Sequence, residues 1–536
     1  KSLVGRESMM TKTLKTQVAA IFFGMSAILI IFGAWTFSSA KRPASPSEKK
    51  ANIAEMFQGV HSQILEIMKK SGVPSVVVAV AKNGETIWEE SYGWADREKE
   101  IEATPGTIYH LASISKSMTA TGLMILKERG LVDLNEPANT YLGETKLVAR
   151  IGDADQASVK RILFHTAGLP MHWNFFDLKG SDPRPNMEES IKRYGVLITA
   201  PGETYTYSNF GYGIIDHIIS RISGKDYADF MKEEVFIPLG MKHTSVQVDA
   251  SPGNDIAVMY DEGKKPIPPY DFDHRGASAV LSTAGDMIRF GMFHMKKSLP
   301  GQNPILKAET VDRMHTEIDP LQSDLKDRVG FDYLLGSFGG VSYGGYRIEA
   351  TTGSMPGAVS RLVLVPSENI VSALLSNGDN IDLWQIEKLI LEALLPDLKD
   401  KDSTEDEKSP GDAEMDSIPP DPYLGIWSGS IETYTKTIPV RMTFPENGKV
   451  RMEIDHRPAS LLSMKTPLGE MGFQGELFKG IFMGQIRTPD TNRSPHVVLV
   501  ECRCRGDRLT GYAAAVAMNK KFCLPHWIDL TRETGN

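Results

Sequence analysis

The chain has 536 residues, which exceeds what a single hydrophobic core usually supports, so two or more domains are expected. Its hydrophobic content of 41% and charged content of 24% are typical of a folded protein. The formal net charge of -9 provides no basic field, which argues against nucleic acid as a partner.

An uncharged segment near the N-terminus, Val18 to Phe37, is long enough to cross a bilayer as a helix, which takes ~20 apolar residues. This exceeds the usual h-region of ~7 to 15 residues and so favours an uncleaved signal anchor over a signal peptide or a buried helix. Ser38 and Ala40 nevertheless offer a cleavage site, and basic residues on both sides leave the orientation nearly balanced. We therefore predict a membrane-anchored, extracytoplasmic protein (bacterial periplasmic or outer face), secreted if the segment is cleaved.

Residues 1–50 are assigned to the N-terminal arm, the anchor and a spacer. The spacer, KRPASPSEKK at 41–50, contains two prolines and no apolar periodicity, so it is predicted to be solvated. Folded sequence follows at 51–396. It opens with a β-hairpin, in which Val76 to Ala81 and Thr86 to Tyr92 flank the turn Asn83-Gly84.

A buried helix is predicted from Ser115 to Glu128, because apolar residues lie on several faces and Gly130 follows. Two apolar strands are expected at 359–365 and 370–376, and an amphipathic helix at 383–395. Strands at both ends of the unit with helices between them indicate an α+β fold, an antiparallel sheet flanked by helices.

The C-terminal part differs in composition. Residues 397–421 are acidic and proline-rich, which predicts a disordered linker, and 422–536 show short alternating runs typical of a small antiparallel β-barrel. Cys502, Cys504 and Cys523 lack the spacing of a zinc site, and we interpret them as core thiols, with one disulfide left open. No metal and no cofactor are predicted.

The candidate nucleophile is Ser113, which precedes Lys116 in an SxxK motif. At the start of a helix this spacing places the hydroxyl and the amine on one face, and free backbone donors there can stabilise an oxyanion. The motif alone is weak, since Ser47 and Lys50 match it inside the predicted spacer. A helix cap beside a solvated lysine is the structural alternative.

Tyr207-Ser208-Asn209 supplies the supporting residues. A tyrosine near a cationic lysine is expected to lose its proton more easily and to shuttle it between nucleophile and leaving group. The Asn209 amide can hold a lysine or a substrate amide. Taken alone, the tripeptide is also a plausible turn.

Five segments in this order resemble the signature of class C β-lactamase-like and penicillin-binding-protein-like serine hydrolases, over about residues 55 to 395. They are SISK at 113–116, HTAGLP at 165–170, PGETYTYSN at 201–209, STAGDM at 282–287 and TTGSMPG at 351–357. The resemblance implies that Ser113 is the nucleophile, Lys116 and Tyr207 the general-base pair, and Asn209 a positioning group. It also implies an oxyanion hole formed by the backbone amides of Ser113 and Ser354 within the motif Thr351, Thr352, Gly353.

Thr351 departs from the family, whose members usually carry Lys or His at this position. Thr351 lacks the charge that would attract an anionic substrate. Arg347 lies on the same strand face but ~13 Å away, too far to replace it. The sequence thus leaves open a β-lactam, a D-amino-acid peptide or a carboxylic ester as substrate, and the alternative of an inactive binding or scaffold protein.

Two further interpretations follow the resemblance. The HTAGLP segment resembles a structural loop, so His165 is expected to stay outside the chemistry, and the scattered histidines argue against a Ser-His-Asp triad or a zinc hydrolase. The C-terminal part resembles the lipocalin-like barrels of D-aminopeptidase-type relatives. Tyr423, Trp427 and Trp527 are expected in its core, and one of its loops is expected to cap the hydrolase cleft.

Overall fold

The computed structural model describes residues 46–246, 255–319, 321, 331–395, 398, 418–446, 449–462 and 471–533. Residues 52–536 form one compact unit. Within the described ranges, no helix combines the length and apolar character that crossing a membrane requires. The predicted anchor at 18–37 lies outside those ranges, as does most of the predicted linker at 397–421.

Ten helices are described, together with a π-helical turn at Lys232–Phe236 that continues the sixth. Their bounds are α1 Pro46–Ser71, α2 Ser115–Glu128, α3 Val159–Leu163, α4 Met187–Tyr194, α5 Asn209–Ser223, α6 Tyr227–Met231, α7 Arg275–Ser278, α8 Ala284–His294, α9 Ala308–Thr316 and α10 Leu383–Leu394. The predicted helices at 115–128 and 383–395 are confirmed as α2 and α10. Helix α1 begins at Pro46, inside the predicted spacer at 41–50; proline is well suited to a first helical position, where no N–H is needed.

Sixteen strands belong to the N-terminal part. They are β1 Ser75–Lys82, β2 Glu85–Asp96, β3 Ile101–Glu102, β4 Tyr109–His110, β5 Val148–Ala149, β6 Trp173–Asp177, β7 Val196–Leu197, β8 Met259–Tyr260, β9 Pro266–Ile267, β10 Tyr270–Phe272, β11 Leu281–Ser282, β12 Asp332–Tyr333, β13 Gly339–Tyr343, β14 Tyr346–Met355, β15 Ala358–Val365 and β16 Ile370–Ser376. The predicted hairpin and the two later strands are confirmed as β1, β2, β15 and β16.

Eight of these strands form the central sheet, in the order β12-β13-β14-β15-β16-β1-β2-β3, and their pairings are antiparallel. Both faces are covered, which explains why β1 and β16 are apolar almost throughout. One face packs against α1 and α10, where Phe57 stacks on Trp88 with ring centroids 4.3 Å apart. The other face packs against α8 and the helices that carry the candidate nucleophile. The sheet flanked by helices confirms the α+β prediction.

Nine strands form the C-terminal part. They are β17 Gly425–Glu432, β18 Thr437–Phe444, β19 Arg451–Ile454, β20 Arg457–Leu461, β21 Gly472–Gln474, β22 Leu477–Met483, β23 His496–Arg505, β24 Arg508–Ala517 and β25 Phe522–Arg532. All except β21 form a closed eight-stranded antiparallel barrel, because β25 pairs with both β24 and β17. The predicted barrel is confirmed.

Aromatic side chains fill one end of the barrel interior. Trp427 is fully buried, and Tyr423 packs against Phe444 and Phe473 with ring centroids 5.3 and 5.1 Å apart. Trp527 instead lies on the outer face of the barrel wall, where it is buried in an apolar cluster shared with Ile198 of the N-terminal part. Its predicted place inside the barrel is therefore wrong. Along a strand, successive side chains point to opposite faces, and Trp527 falls on the outward face of β25.

Two strands of the N-terminal part extend the barrel sheet. Strand β6 pairs with β25 through Asn174 opposite Phe522 and Trp173 opposite Cys523, and β10 pairs with β6. The backbone N–H of Phe175 also donates to the Lys521 carbonyl oxygen over 2.8 Å. The barrel is therefore hydrogen-bonded to the part of the chain that holds the candidate site. Cys502, Cys504 and Cys523 are buried free thiols, as predicted.

Candidate active site

Ser113 lies in a 3-10 turn, Ala112–Ile114, directly before α2. Ala112 has a φ of 47°, a left-handed conformation that a side chain rarely adopts and that surrounding contacts must hold. These contacts come from Val280, whose carbonyl oxygen accepts from the Leu111 N–H over 2.9 Å and whose N–H donates to Ser115 Oγ over 3.0 Å. The turn leaves Ser113 partly exposed beside buried neighbours.

Lys116 lies one turn further along and is only 1% exposed. Its Nζ atom lies 3.1 Å from Ser113 Oγ, 2.8 Å from Asn209 Oδ1 and 3.1 Å from the carbonyl oxygen of Ala277 in α7. Burial lowers the pKa of Lys116 well below its usual range, because a charged amine loses its hydration there. The structure thus favours an uncharged amine next to the serine hydroxyl.

The Tyr207-Ser208-Asn209 segment enters helix α5. Ser208 is its N-cap and accepts a hydrogen bond from the Gly211 N–H over 3.3 Å, which is why a serine suits this position. The cap places Tyr207 just outside the helix, where its hydroxyl donates to Ser113 Oγ over 2.8 Å. Asn209 begins the helix and donates through Nδ2 to the His172 carbonyl oxygen over 2.9 Å. The four side chains predicted to act together are therefore neighbours.

The surroundings of Tyr207 oppose the easier loss of its proton that the sequence suggests. Burial raises the pKa of its hydroxyl, and the hydrogen bond to Ser113 lowers it by less. The Lys116 Nζ atom lies over the tyrosine ring, 4.7 Å from its centroid. Burial favours the neutral form of both groups, and Tyr207 is a hydrogen-bond donor to Ser113.

The third motif lies on β14. A Cβ atom on Gly353 would come within 2.0 Å of the Leu111 carbonyl oxygen and 2.5 Å of Ser360 Oγ, so only glycine allows this strand to approach the Ser113 turn so closely. Thr351 is buried, 8% exposed, on the same strand face as Gly353. Thr352 and Ser354 point to the opposite face and are exposed.

The side chains near Thr351 show whether another group supplies the positive charge that a threonine lacks. Thr352 Oγ1 accepts from Arg361 on that opposite face over 3.2 Å, so its side chain lies away from Ser113. Arg347 is held by Glu349, 3.1 Å between Nε and Oε1, and by Asp332 at 3.7 Å. These ion pairs occupy Arg347, in agreement with the expectation that it does not replace the missing charge.

His165 is closer to the site than the sequence indicated. Its φ is 60°, and its carbonyl oxygen and Nδ1 atom accept from the N–H groups of Thr206 and Ser208 over 2.9 and 3.1 Å. Its Nε2 atom lies 3.0 Å from the Tyr333 hydroxyl. His165 thus accepts hydrogen bonds from the backbone on both sides of Tyr207 and does not contact Ser113, which makes it a positioning residue.

Several groups around the site were missed by sequence reasoning. The carbonyl oxygens of Ala277 and His172 carry no side-chain signal. His172, Asp273 and His274 gather in the core, with potential metal-ligand atoms within 4.8 Å of one another. Asp273 accepts from His172 Nε2 (3.0 Å), Asn174 (3.2 Å) and Ser190 (3.3 Å) at Oδ2 and from His274 Nδ1 (2.6 Å) at Oδ1. Among the described residues, His172 Nδ1 and His274 Nε2 are buried without a hydrogen-bond partner.

A family model described as Beta-lactamase matches residues 60–390, more than half of the chain. The chain belongs to the beta-lactamase family. The match covers all five sequence segments and ends before the barrel.

Curated relatives agree with this assignment. PbpX of Bacillus subtilis (strain 168), which is named as a penicillin-binding protein, is 28% identical over 254 residues, 47% of this chain and 61% of PbpX. Protein flp of Staphylococcus aureus (strain MW2) is 25% identical over 217 residues, 39% of this chain and 42% of flp. The matches thus span less than two thirds of these relatives.

Solved structures share the fold. A penicillin-binding protein homologue from Pyrococcus abyssi, described as octameric, covers 87% of this chain and 99% of its own, with a TM-score of 0.55 and 20% identity. A class C beta-lactamase covers 66% of this chain and 98% of its own, with a TM-score of 0.53 and 19% identity. A D-amino acid amidase from Ochrobactrum anthropi SV3 gives a TM-score of 0.52 at 23% identity, covering 65% of this chain and 99% of its own.

Proposed function

We propose that the protein is a serine hydrolase that forms an acyl-enzyme at Ser113 with an uncharged ester or amide. The observation that carries the proposal is the double contact on Ser113 Oγ, which lies 3.1 Å from Lys116 Nζ and 2.8 Å from the Tyr207 hydroxyl. Two groups that can move protons therefore meet at one partly exposed hydroxyl.

The partners of Lys116 define where its protons lie. A neutral amine has two N–H groups and one lone pair, and the oxygens of Asn209 and Ala277 can only accept hydrogen bonds. With both N–H groups used in this way, the lone pair is directed at the third neighbour, Ser113. The serine hydroxyl then donates to Lys116 and accepts from Tyr207, so the amine is ready to take the proton as Oγ attacks.

The reaction follows from this arrangement. Ser113 Oγ bonds to the carbonyl carbon while its proton passes to Lys116, and the backbone N–H groups of Ser113 and Ser354 stabilise the oxyanion. Tyr207 donates a proton to the leaving alcohol or amine and is reprotonated with the proton that Lys116 took from Ser113. Water then releases the acyl group by the same steps in reverse.

Thr351 bears on the charge of the substrate that the site can bind. A hydroxyl in place of a cation gives an anionic substrate no Coulomb attraction, and Arg347 is engaged with acidic partners. Of the three substrates that the sequence leaves open, a carboxylic ester fits better than a β-lactam carboxylate, and a D-amino-acid substrate fits best as an amide without a terminal carboxylate. The neighbour named above is described as a D-amino acid amidase, and an amino-acid amide lacks that carboxylate.

The test is covalent labelling of the full chain. We expect a neutral fluorophosphonate to modify Ser113, and a p-nitrophenyl ester to be hydrolysed faster than a β-lactam. Ser113→Ala should abolish both reactions, and mass spectrometry of the labelled peptide locates the adduct.

Thr351→Lys is the matched control for substrate charge, because it should speed reaction with the β-lactam and leave the neutral ester nearly unchanged. Labelling that persists in Ser113→Ala contradicts the assignment of the nucleophile. Absence of any labelling or turnover would favour an inactive binding protein.

A further inference from the structure

The folded sequence at 51–396 is called the hydrolase part below. The loop between β22 and β23 of the barrel, residues 484–495, contacts it through two charged side chains. It is held in shape from within: Thr491 Oγ1 donates to the Ile486 carbonyl oxygen over 2.6 Å and accepts from the Thr488 N–H over 2.8 Å. Asp490 and Arg493 lie on either side of this buried threonine. We call these residues the docking loop.

Asp490 makes the first contact, with the end of helix α4. Its carboxylate accepts from Arg193 Nη1 over 2.8 Å and from the Tyr194 hydroxyl over 2.5 Å. These groups lie at the surface of the hydrolase part that faces the barrel. The ring of Tyr194 in turn lies 5.2 Å from the ring of His172, so this contact reaches His172 through ring packing and not through a hydrogen bond.

Arg493 makes the second contact, with strand β6. Its guanidinium donates to Asn174 Oδ1 and, over 3.2 Å, to the Phe175 carbonyl oxygen, and it lies 4.5 Å from the centre of the Phe176 ring. Its Nε atom donates back to the Asp490 carbonyl oxygen over 3.0 Å. The fork of donors therefore fixes both the arginine and the orientation of the Asn174 amide.

Asn174 connects Arg493 to buried polar residues of the core. With its oxygen facing Arg493, its Nδ2 atom donates to Asp273 over 3.2 Å, and Asp273 accepts from His172 Nε2 over 3.0 Å. The His172 carbonyl oxygen accepts from Asn209, whose Oδ1 atom accepts from Lys116. A continuous set of polar contacts thus joins a barrel side chain to the amine beside Ser113.

The residues of this connection are buried, which makes the loss of any one contact costly. His172 and Asn174 are fully buried and Asp273 is 2% exposed, so water does not easily replace a lost partner. If Arg493 is removed, Asn174 Oδ1 is left as a buried acceptor without its charged donor, so the amide should leave its present position and weaken its contact with Asp273. The loop that carries His172 must then shift, and with it the carbonyl that holds Asn209.

We propose that Arg493 of the barrel is a positioning residue for Lys116 and Ser113, acting through Asn174, Asp273 and His172. This inference rests on the proposed function for its kinetic effect. It makes the barrel a supporting part of the hydrolytic site, since the contact of Arg493 extends through these residues to Asn209.

The experiment uses the full chain with Arg493→Ala, Arg493→Lys and Asp490→Asn. The rate of Ser113 acylation by a fluorophosphonate is measured against pH, alongside KM and kcat for a neutral ester and the thermal midpoint. We expect Arg493→Ala to slow acylation by about 10- to 100-fold with little change in KM, because small displacements of positioned groups have effects of this size.

The pH dependence separates positioning from stability. If the Asn209 contact loosens and water reaches Lys116, the pKa of Lys116 rises toward its usual range, so the acylation midpoint moves to higher pH. Arg493→Lys keeps one donor for Asn174 and should restore part of the rate. Asp490→Asn should lower the thermal midpoint and change the rate and the pH midpoint less than Arg493→Ala does, because it reaches His172 through the packing of the Tyr194 ring and leaves the Asn174 contacts in place.

Two results would overturn the proposal: an Arg493→Ala protein with the original rate and pH midpoint, or an equal loss of rate in Asp490→Asn. If the unsubstituted protein does not acylate Ser113 at any pH, the proposed function fails instead. Crystal structures of the original protein and Arg493→Ala then decide the positioning role. An unchanged 2.8 Å contact between Asn209 and Lys116 in the variant contradicts it.

Discussion

Lys116 and Tyr207 both contact the Ser113 hydroxyl, and burial acts on them in opposite directions. The pKa of Lys116 falls because its charged form is cationic, and the pKa of Tyr207 rises because its charged form is anionic. Burial thus favours the neutral form of each group. The pair can pass a proton through Ser113 without leaving a buried charge in the resting state.

The pH dependence of acylation follows from these two directions. Lys116 acts as a base only when deprotonated, so the rate should rise as pH increases through its folded pKa and fall away below it. The midpoint should lie well below the pKa of about 10.4 that a free lysine has. Tyr207 stays protonated over this range and adds no second transition. Stopped-flow acylation between about pH 5 and 10 measures the profile.

Two variants serve as controls for this pH prediction. Tyr207→Phe removes the donor to Ser113 but keeps the base, so the rate should fall while the midpoint persists. Lys116→Gln removes the base, so the rate should fall by about 10²- to 10⁴-fold and the pH dependence should disappear. A midpoint that moves with Tyr207→Phe and survives Lys116→Gln would assign the base to the tyrosine instead.

At the scale of the elements, the approach of β14 to the Ser113 turn depends on Gly353. We expect Gly353→Ala to force the strand away from Leu111, because the new Cβ would meet a backbone oxygen at 2.0 Å. Overpacking of this kind costs about 1 to 3 kcal/mol of unfolding free energy. Ser113 acylation should slow as well, because the Ser354 amide moves with the strand. Urea unfolding and fluorophosphonate kinetics measure the two effects.

Gly59 provides the matched control for this substitution. It lies in helix α1, where an added Cβ meets nothing within 4 Å. Gly59→Ala should therefore stabilise the protein by up to about 1 kcal/mol, through the higher helix propensity of alanine, and leave acylation unchanged. A Gly353→Ala protein that behaves like Gly59→Ala would show that the close approach is not required.

The elements that could be predicted from sequence are those with a local signal. The Asn83-Gly84 turn, the apolar run of β16 and the buried faces of α2 each determine their structure within a few residues, and the structure confirms them. Helix α1 was not predicted, and its first residues fall inside the predicted spacer, because prolines in a polar segment also indicate a spacer. A proline at the first helical position gives the same local pattern.

The residues of the candidate site differ in the same way, since some have a local sequence signal and others have none. Ser113, Lys116, Tyr207 and Asn209 belong to short motifs, so they could be proposed before their distances were known. The backbone acceptors of His172 and Ala277 could not, because any residue supplies a carbonyl oxygen. Asp273 gave no signal either, since its partners lie up to 101 positions away in the chain.

At the scale of the whole molecule, the hydrolase part and the barrel form a continuous structure. One apolar cluster includes Leu111 beside the nucleophile and Trp427 inside the barrel. A second joins Ile198 to Trp527, and strands β6 and β25 share a ladder. Sequence patterning indicates where each part begins but not that their cores are continuous, because the contacts between them join residues hundreds of positions apart.

This continuity predicts the unfolding behaviour. Large proteins with several domains often unfold in steps, but here we expect one calorimetric transition in which barrel and hydrolase part melt together. Trp427→Ala in the barrel interior and Trp527→Ala at the junction should each lower that single midpoint, since removing a buried tryptophan costs about 3 to 5 kcal/mol. Loss of Ser113 acylation on heating should coincide with the transition. Two separate transitions, with Trp427→Ala moving only one of them, would mean that the barrel folds independently and is merely attached.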